Sequence, residues 1–351
     1  MSIFPTIFII PTGVGCEIGG FAGDALPVAK LLAASTECLI THPNVMNGGS
    51  LSAIDDRIFY VEGYSLDKFA RGEIGLKKIK QQRIGIIFDL SIDNEMLNRH
   101  LQVADACIST LGINVEAYVV TEKPIGVVFQ DQIAGVSGGY IKNPEALIEA
   151  GKKLLKQGIT AIAIVANFPD EIEHKDINLY REGKSVDKIS GVEAVISHII
   201  SKFLKVPCAH APALSPLKVM EDLDPRAAAE EIGYTFLPSV LMGLSKAPDL
   251  IDLPSSDRGI TLLPDDVRSI VVPNGALGGE AVLACIERGI PVIAVKNESV
   301  LNVNSKKLNY SNIFEADNYF EAAGILLSLR EGINMNSLQR PIKSFKNFRI
   351  I

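Results

Sequence analysis

Tryptophan is absent from this 351-residue chain, and no two cysteines stand at CxxC spacing. The five cysteines, Cys16, Cys38, Cys107, Cys208 and Cys285, are odd in number and far apart. That excludes a disulfide framework or a thiolate metal knot and fits a reducing cytosol. Apolar runs of the roughly 20 residues that span a bilayer are also missing. Ile3 to Ile10 is apolar but short, follows no Lys or Arg, and runs into Pro11 and Gly13. It reads as a first buried strand rather than a signal peptide, so the protein is expected to be cytoplasmic, or stromal in a plastid homologue. Basic charge is in deficit: the net charge of −7 argues against nucleic acid as a partner, and nothing calls for a membrane. The exception is the tail from Ile333 to Ile351, with Arg340, Lys343, Lys346 and Arg349 and no acid. Its favoured reading is docking on the acidic body or on a second copy in a homo-oligomer.

What is present is a globular balance, 47% hydrophobic and 21% charged, long enough for one large unit or two lobes. Ile- and Val-rich runs bounded by Gly or Pro predict strands at Thr6 to Ile10, Glu37 to Thr41, Arg57 to Val61, Arg83 to Leu90, Val115 to Val120, Thr160 to Ala166, Ser269 to Val272 and Pro291 to Val295. Helical periods fall between them, at Ala25 to Ala34, Asn94 to Thr110, Pro144 to Gln157, Val192 to Leu204, Glu280 to Arg288 and Asn318 to Arg330. Such alternation predicts an α/β, Rossmann-like fold with a largely parallel sheet and helices on both faces. The division expected is an N-terminal lobe over 1–125, a second α/β lobe over 126–332 and the tail over 333–351, with one continuous domain as the alternative. Ligands in such folds bind at the carboxyl ends of the strands.

The stretch IIPTGVGCEIGGFAGDA, Ile9 to Ala25, places five glycines between an apolar strand and a helix. Glycines admit a ligand to backbone N–H groups, and a helix N-terminus adds partial positive charge. Gly13 and Gly15 match the opening of the dinucleotide fingerprint, but Ile18 stands where its third glycine belongs. The second strand ends in Thr41, His42, Pro43 and Asn44, without the acid that would hold a ribose. NAD(P) is therefore disfavoured. Thr12, Gly13, Gly15, Gly19 and Gly20 are expected to hold a small phosphorylated, nucleotide-linked or carboxylated metabolite, with a packing turn as the alternative. Glu17 inside the loop would repel a bare phosphate unless it met a hydroxyl, a divalent metal or an ammonium group. Asp24 reads as a helix N-cap.

A second strand, glycine loop and helix follows in SIVVPNGALGGEAVLACIERGIPVIAVKNE. Asn274, Gly278, Gly279 and Glu280 are expected on the opposite wall of one cleft. The layout is similar to the donor-sugar half of two-lobed glycosyltransferases and sugar epimerases, and a plain βαβ unit explains the same letters.

His42, in THPNVMN with Asn44 and Asn47, stands where a general acid or base belongs. Glu193 and Ser197 are expected beside His198, and His210 in a proline-rich turn. A zinc site from His42, His198 and His210 has no H-x-H or H-x-x-H pair behind it. His100 and His174 read as surface residues. Asp89, Asn167 and Asn297 end strands at the same edge. Ser137 to Gly139 reads as a hairpin turn, and the polar stretch Asn167 to Ser190 as a lid or a solvated insertion.

The segments PTGVGCEIGGFAGDALPVAKLLA, LITHPNVMNG, LQVADACISTLG, VEAVISHII with VPCAHAPALSP, and AAAEEIGYTFLPSVLMGLSKAP together resemble an uncharacterised family of cyanobacteria and the plastid lineage, a domain of unknown function. The resemblance covers nearly the whole chain and implies no activity or catalytic residue. From the residues alone, the expected function is an enzyme of group-transfer, isomerase or lyase type. Glu17 and His42 are its candidate catalytic groups, and a divalent metal is left open. The alternatives are a non-catalytic metabolite-binding or structural subunit and an NAD(P)-linked oxidoreductase.

Overall fold

Runs of Ile and Val without polar alternation are strands covered on both faces, and this chain lays them into two parallel sheets. A computed structural model describes residues 3–47, 55–133, 136–168, 174–214, 218–231, 235–308, 310–342 and 344. The chain begins β1 (Thr6–Phe8), α1 (Leu26–Thr36), β2 (Leu39–Thr41), α2 (Pro43–Met46), β3 (Ile58–Tyr60), α3 (Gly63–Arg71), β4 (Ile74–Lys77), β5 (Ile84–Phe88), α4 (Asn94–Leu111) and β6 (Val115–Val120). It continues β7 (Val127–Ile133), β8 (Val136–Ile141), α5 (Pro144–Lys156), β9 (Ala161–Asn167), α6 (His174–Arg181), α7 (Ser190–Leu204), β10 (Cys208–Ala213), α8 (Pro225–Glu231) and α9 (Leu237–Ser245). It closes β11 (Asp249–Asp252), β12 (Ser269–Pro273), α10 (Glu280–Glu287), β13 (Val292–Val295), α11 (Ser305–Leu308), β14 (Ile313–Ala316) and α12 (Tyr319–Arg330).

The six strands of one sheet run parallel in the order β14-β13-β12-β1-β2-β3, and four more run parallel in the order β10-β9-β5-β6. Two antiparallel ribbons, β4 with β11 and β7 with β8, complete the pairing. The fold is α/β, as the alternation predicts. The first sheet draws on 6–60 and 269–316, the second on 84–213, so the sheets do not part the chain at residue 125.

Period-two alternation sorts each sheet into two cores. Ile7, Ile40, Ile270 and Val292 face one core of the larger sheet, and Phe8, Leu39, Val271 and Ile293 the other. Ile84, Ile86 and Phe88 of β5 face one core of the smaller sheet, and Ile87 the other. Each fully buried side chain of this size is worth about 1.5–3 kcal/mol, so both registers are strongly held.

Several readings change at this level. His100 is not a surface residue: it is wholly buried on α4, its Nδ1 lies 2.8 Å from the Met96 carbonyl oxygen, and its ring meets Phe88 edge-on. His210 lies on a strand rather than in a turn, and Pro212 is tolerated there because β10 is the outermost strand of its sheet. Ser137, Gly138 and Gly139 lie within β8, where a Cβ on Gly139 would come 2.4 Å from the Val128 carbonyl oxygen. The His174 side chain and the tail residues Lys343, Lys346 and Arg349 lie outside what is described. Among the described residues, no helix is long and apolar enough to cross a membrane.

Candidate functional site

The carboxyl ends of β1, β2 and β3 look across a cavity of about 190 Å³ toward α6, α7, β10 and α8. Strand-end residues line the near wall: Thr12, Gly13, Gly19 and Gly20 after β1, then His42, Asn44 and Asn47 after β2, and Glu62 after β3. The far wall comes largely from the polar stretch read as a lid or insertion and from α7, with Tyr180, Asp187, Glu193, Ser197 and His198 among its residues. Aromatic contacts join the two walls at one end. Phe21 stacks on Tyr180 with centroids 4.6 Å apart, and the Arg226 guanidinium lies 4.5 Å above the Phe21 ring.

Several amides of the glycine loop are spent on the protein itself. The amides of Ile10, Ile18 and Gly19 donate to His42 Nε2 at 3.2 Å, Asn297 Oδ1 at 2.9 Å and Asp24 Oδ1 at 2.6 Å. Glu17 N–H donates to the Glu298 carbonyl at 3.1 Å. Asn44 Nδ2 donates to the carbonyls of Ile10 and Gly19 at 3.3 and 3.2 Å. Asp24 occupies the anion position instead of an N-cap, for α1 has no side-chain cap. The glycines also answer to packing: a Cβ on Gly13 would meet Ser137 Oγ at 2.5 Å, and one on Gly19 would meet Ile10 at 2.5 Å.

Six expected contacts fall elsewhere. Glu17 is exposed, and Gly15 packs under Val186. The loop of Asn274, Gly278, Gly279 and Glu280 is separated from the cavity because the segment 299–305 folds over it. Leu277 N–H donates to the Val303 carbonyl at 2.9 Å, and Asn274 Oδ1 accepts from Ser305 N at 3.0 Å. Glu280 pairs with Arg71 of α3.

Three histidines reach the cavity with pKa values shifted in opposite directions. His42 is 6% exposed; burial pushes its pKa down to about 4, and its Nε2 lone pair is taken by Ile10 N–H. His42 is therefore neutral with its proton on Nδ1, and that N–H is the group it has to offer. His210 is likewise driven down to about 3 by burial, with Nδ1 3.1 Å from Ser197 Oγ. His198 behaves the other way. Burial works against its charge, but the Glu62 carboxylate, 3.0 Å from Nε2, overrides burial and raises the pKa. Glu62, 4% exposed, is fixed as the N-cap of α3 by accepting from Ser65 N at 3.3 Å. Glu193 and Ser197 face His210 and not His198.

Carboxylates dominate the cavity: Glu62, Asp187, Glu193, Glu230 and Glu231 line it against Arg181 and Lys188. Arg181 is engaged with Glu231 at 2.6 Å and with the Lys218 carbonyl at 2.7 Å. Burial pushes Asp187 up to about 6, and burial with Asp187 nearby pushes Glu230 up to about 8. Among the described residues, no group of three or more His, Cys, Asp or Glu is disposed to hold a metal ion. Sequence reasoning missed Glu62, though it follows the third predicted strand directly. Tyr180, Asp187 and Glu230 carry no local signal.

Residues 5–339 match the family described as protein of unknown function DUF3326. A Synechococcus sp. protein bearing the name uncharacterized lipoprotein is 43% identical over 334 residues, covering 95% of this chain and 92% of that protein. The chain belongs to the DUF3326 family.

Proposed function

We propose that this DUF3326 protein is an enzyme that moves protons on a small metabolite held in the cavity, as isomerases and lyases do. The observation that carries the reading is the opposed pair of shifts in one cavity. Glu62 favours the charged form of His198, while burial holds His210 neutral. Neighbouring groups whose pKa values are pushed apart supply an acid and a base together. His198 is the proton donor, Glu62 its positioning partner, and neutral His210, oriented by Ser197, the acceptor. His42 serves as a hydrogen-bond donor through Nδ1 rather than as a base. Phosphate or diphosphate transfer has less support, since the Glu17, Ile18 and Gly19 amides of the glycine loop are already bonded within the protein.

The test is deuterium exchange. Wild-type protein is incubated with a metabolite extract in D2O, and proton NMR follows loss of carbon-bound protons or conversion of any component. A component that exchanges with wild type but not with His198→Ala or His210→Ala supports the reading. No exchange or conversion in any component leaves a binding protein instead of an enzyme.

We also read the protein as cytoplasmic. Its five cysteines are buried free thiols, suited to a reducing compartment. Recovery of the native chain in the membrane fraction after a high-salt wash would overturn this placement.

A further inference from the structure

We propose that Asp187, Glu193 and Glu230 form a subsite for a primary ammonium group of the ligand. The proposal deepens the reading above and rests on it for the cavity being a ligand site. The three acids reach one wall from separate places: the loop before α7, the first turn of α7, and α8. Glu193 is 9% exposed, and its Oε1 is sealed from solvent with no partner among the described residues. Its Oε2 stands 3.8 Å from His210 Nε2, beyond hydrogen-bond reach of a ring that carries no charge. Glu230 Oε2 accepts the Tyr180 phenol at 2.5 Å, and Asp187 Oδ1 accepts Ile189 N–H at 3.0 Å.

Carboxylates withdrawn from water along one cavity are costly unless something neutralises them, and without a ligand they do so by holding protons. Burial raises all three pKa values, and repulsion from Asp187 adds to the rise of Glu193 and Glu230. A ligand cation would take the place of those protons. The described residues offer no metal-binding cluster, whereas an ammonium group has three N–H donors to spread over separately placed acceptors. Ile177, Val186, Leu214 and Phe236 line the same cavity and suit a hydrocarbon body behind that group.

The experiment is calorimetry and thermal shift with n-butylammonium, n-butanol and butyrate as probes. Butylammonium alone is expected to raise the melting temperature, and to release close to one proton per site at pH 7 when measured in two buffers of different ionisation enthalpy. Glu193→Gln should weaken its binding about tenfold or more, with Glu230→Gln as the second variant should the first not fold. The proposal is overturned if butanol or butyrate stabilises equally, if no proton is released, or if butylammonium at ~10 mM has no effect. Each of those failures leaves the deuterium-exchange result standing. Butylammonium binding with no exchange anywhere would instead sink the enzyme reading and keep the subsite.

Discussion

Asp24 Oδ1 lies 2.6 Å from the Gly19 amide, in the place where a phosphate oxygen would sit had the glycine loop been built for one. The loop therefore carries its own anion. Asp24→Ala should destabilise the fold by about 1–3 kcal/mol by orphaning a buried amide, while Asp24→Asn, which keeps an acceptor, should cost less. Urea unfolding of the two variants checks this. Inorganic phosphate should leave the wild-type melting temperature unchanged, and a phosphate-dependent rise would show that the loop opens for an anion.

Glu62 and His198 give a titration that can be read directly. NMR of the imidazole protons should place His198 above its ordinary 6.5 and His42 near 4. Glu62→Gln should lower the His198 value, since burial is then opposed only by the more weakly acting Asp67 carboxylate. In stability terms, the pair's contribution is complete below pH 6.5 and fades as pH rises through the raised value. Replacement of Glu62 should thus matter more at pH 6 than at pH 9, and an equal cost at both would remove the ion pair as the cause.

Glu230 works in the opposite sense. Its folded-state value of about 8 against 4.5 unfolded means that the folded form holds a proton the unfolded chain releases. Stability should therefore be lost as pH rises from about 4.5 to 8. Glu230→Gln keeps the Tyr180 hydrogen bond and removes the charge. It should flatten the melting temperature against pH and gain on the order of 1–3 kcal/mol at pH 8. An unchanged pH profile would show that Glu230 is not the titrating group.

Two glycines of similar appearance in the sequence should respond differently to alanine. Gly13 has φ of +73° and only 2.5 Å between its missing Cβ and Ser137 Oγ, so Gly13→Ala should cost about 1–3 kcal/mol. Gly279 has ordinary φ of −68° and nothing closer than 3.9 Å, and its replacement should stay within about 0.5 kcal/mol. Thermal unfolding of the pair decides whether close packing sets the requirement.

The sheet strands were legible because burial on both faces leaves an unbroken apolar run, and the strand-end rule located Thr12, His42, Asn44 and Asn47 on the cavity wall. The same rule applied to the third strand points at Glu62. Asn274, Gly278, Gly279 and Glu280 obey it too, yet the segment 299–305 covers them, a tertiary event with no local mark. His198 lies five residues after Glu193, well over a quarter-turn around the helix from it, so the two look in different directions and find Glu62 and His210 instead. The far wall escaped notice because polar segments without period reveal their burial only once packed.

During synthesis the ribosome delivers β1 first, yet one of its two neighbours, β12, begins at Ser269. The larger sheet must hold its opening strand unpaired on one side while the 84–213 sheet, contiguous in sequence, is free to form. A nascent chain stalled before residue 269 would thus present an apolar strand edge to chaperones, whatever the finished cavity binds.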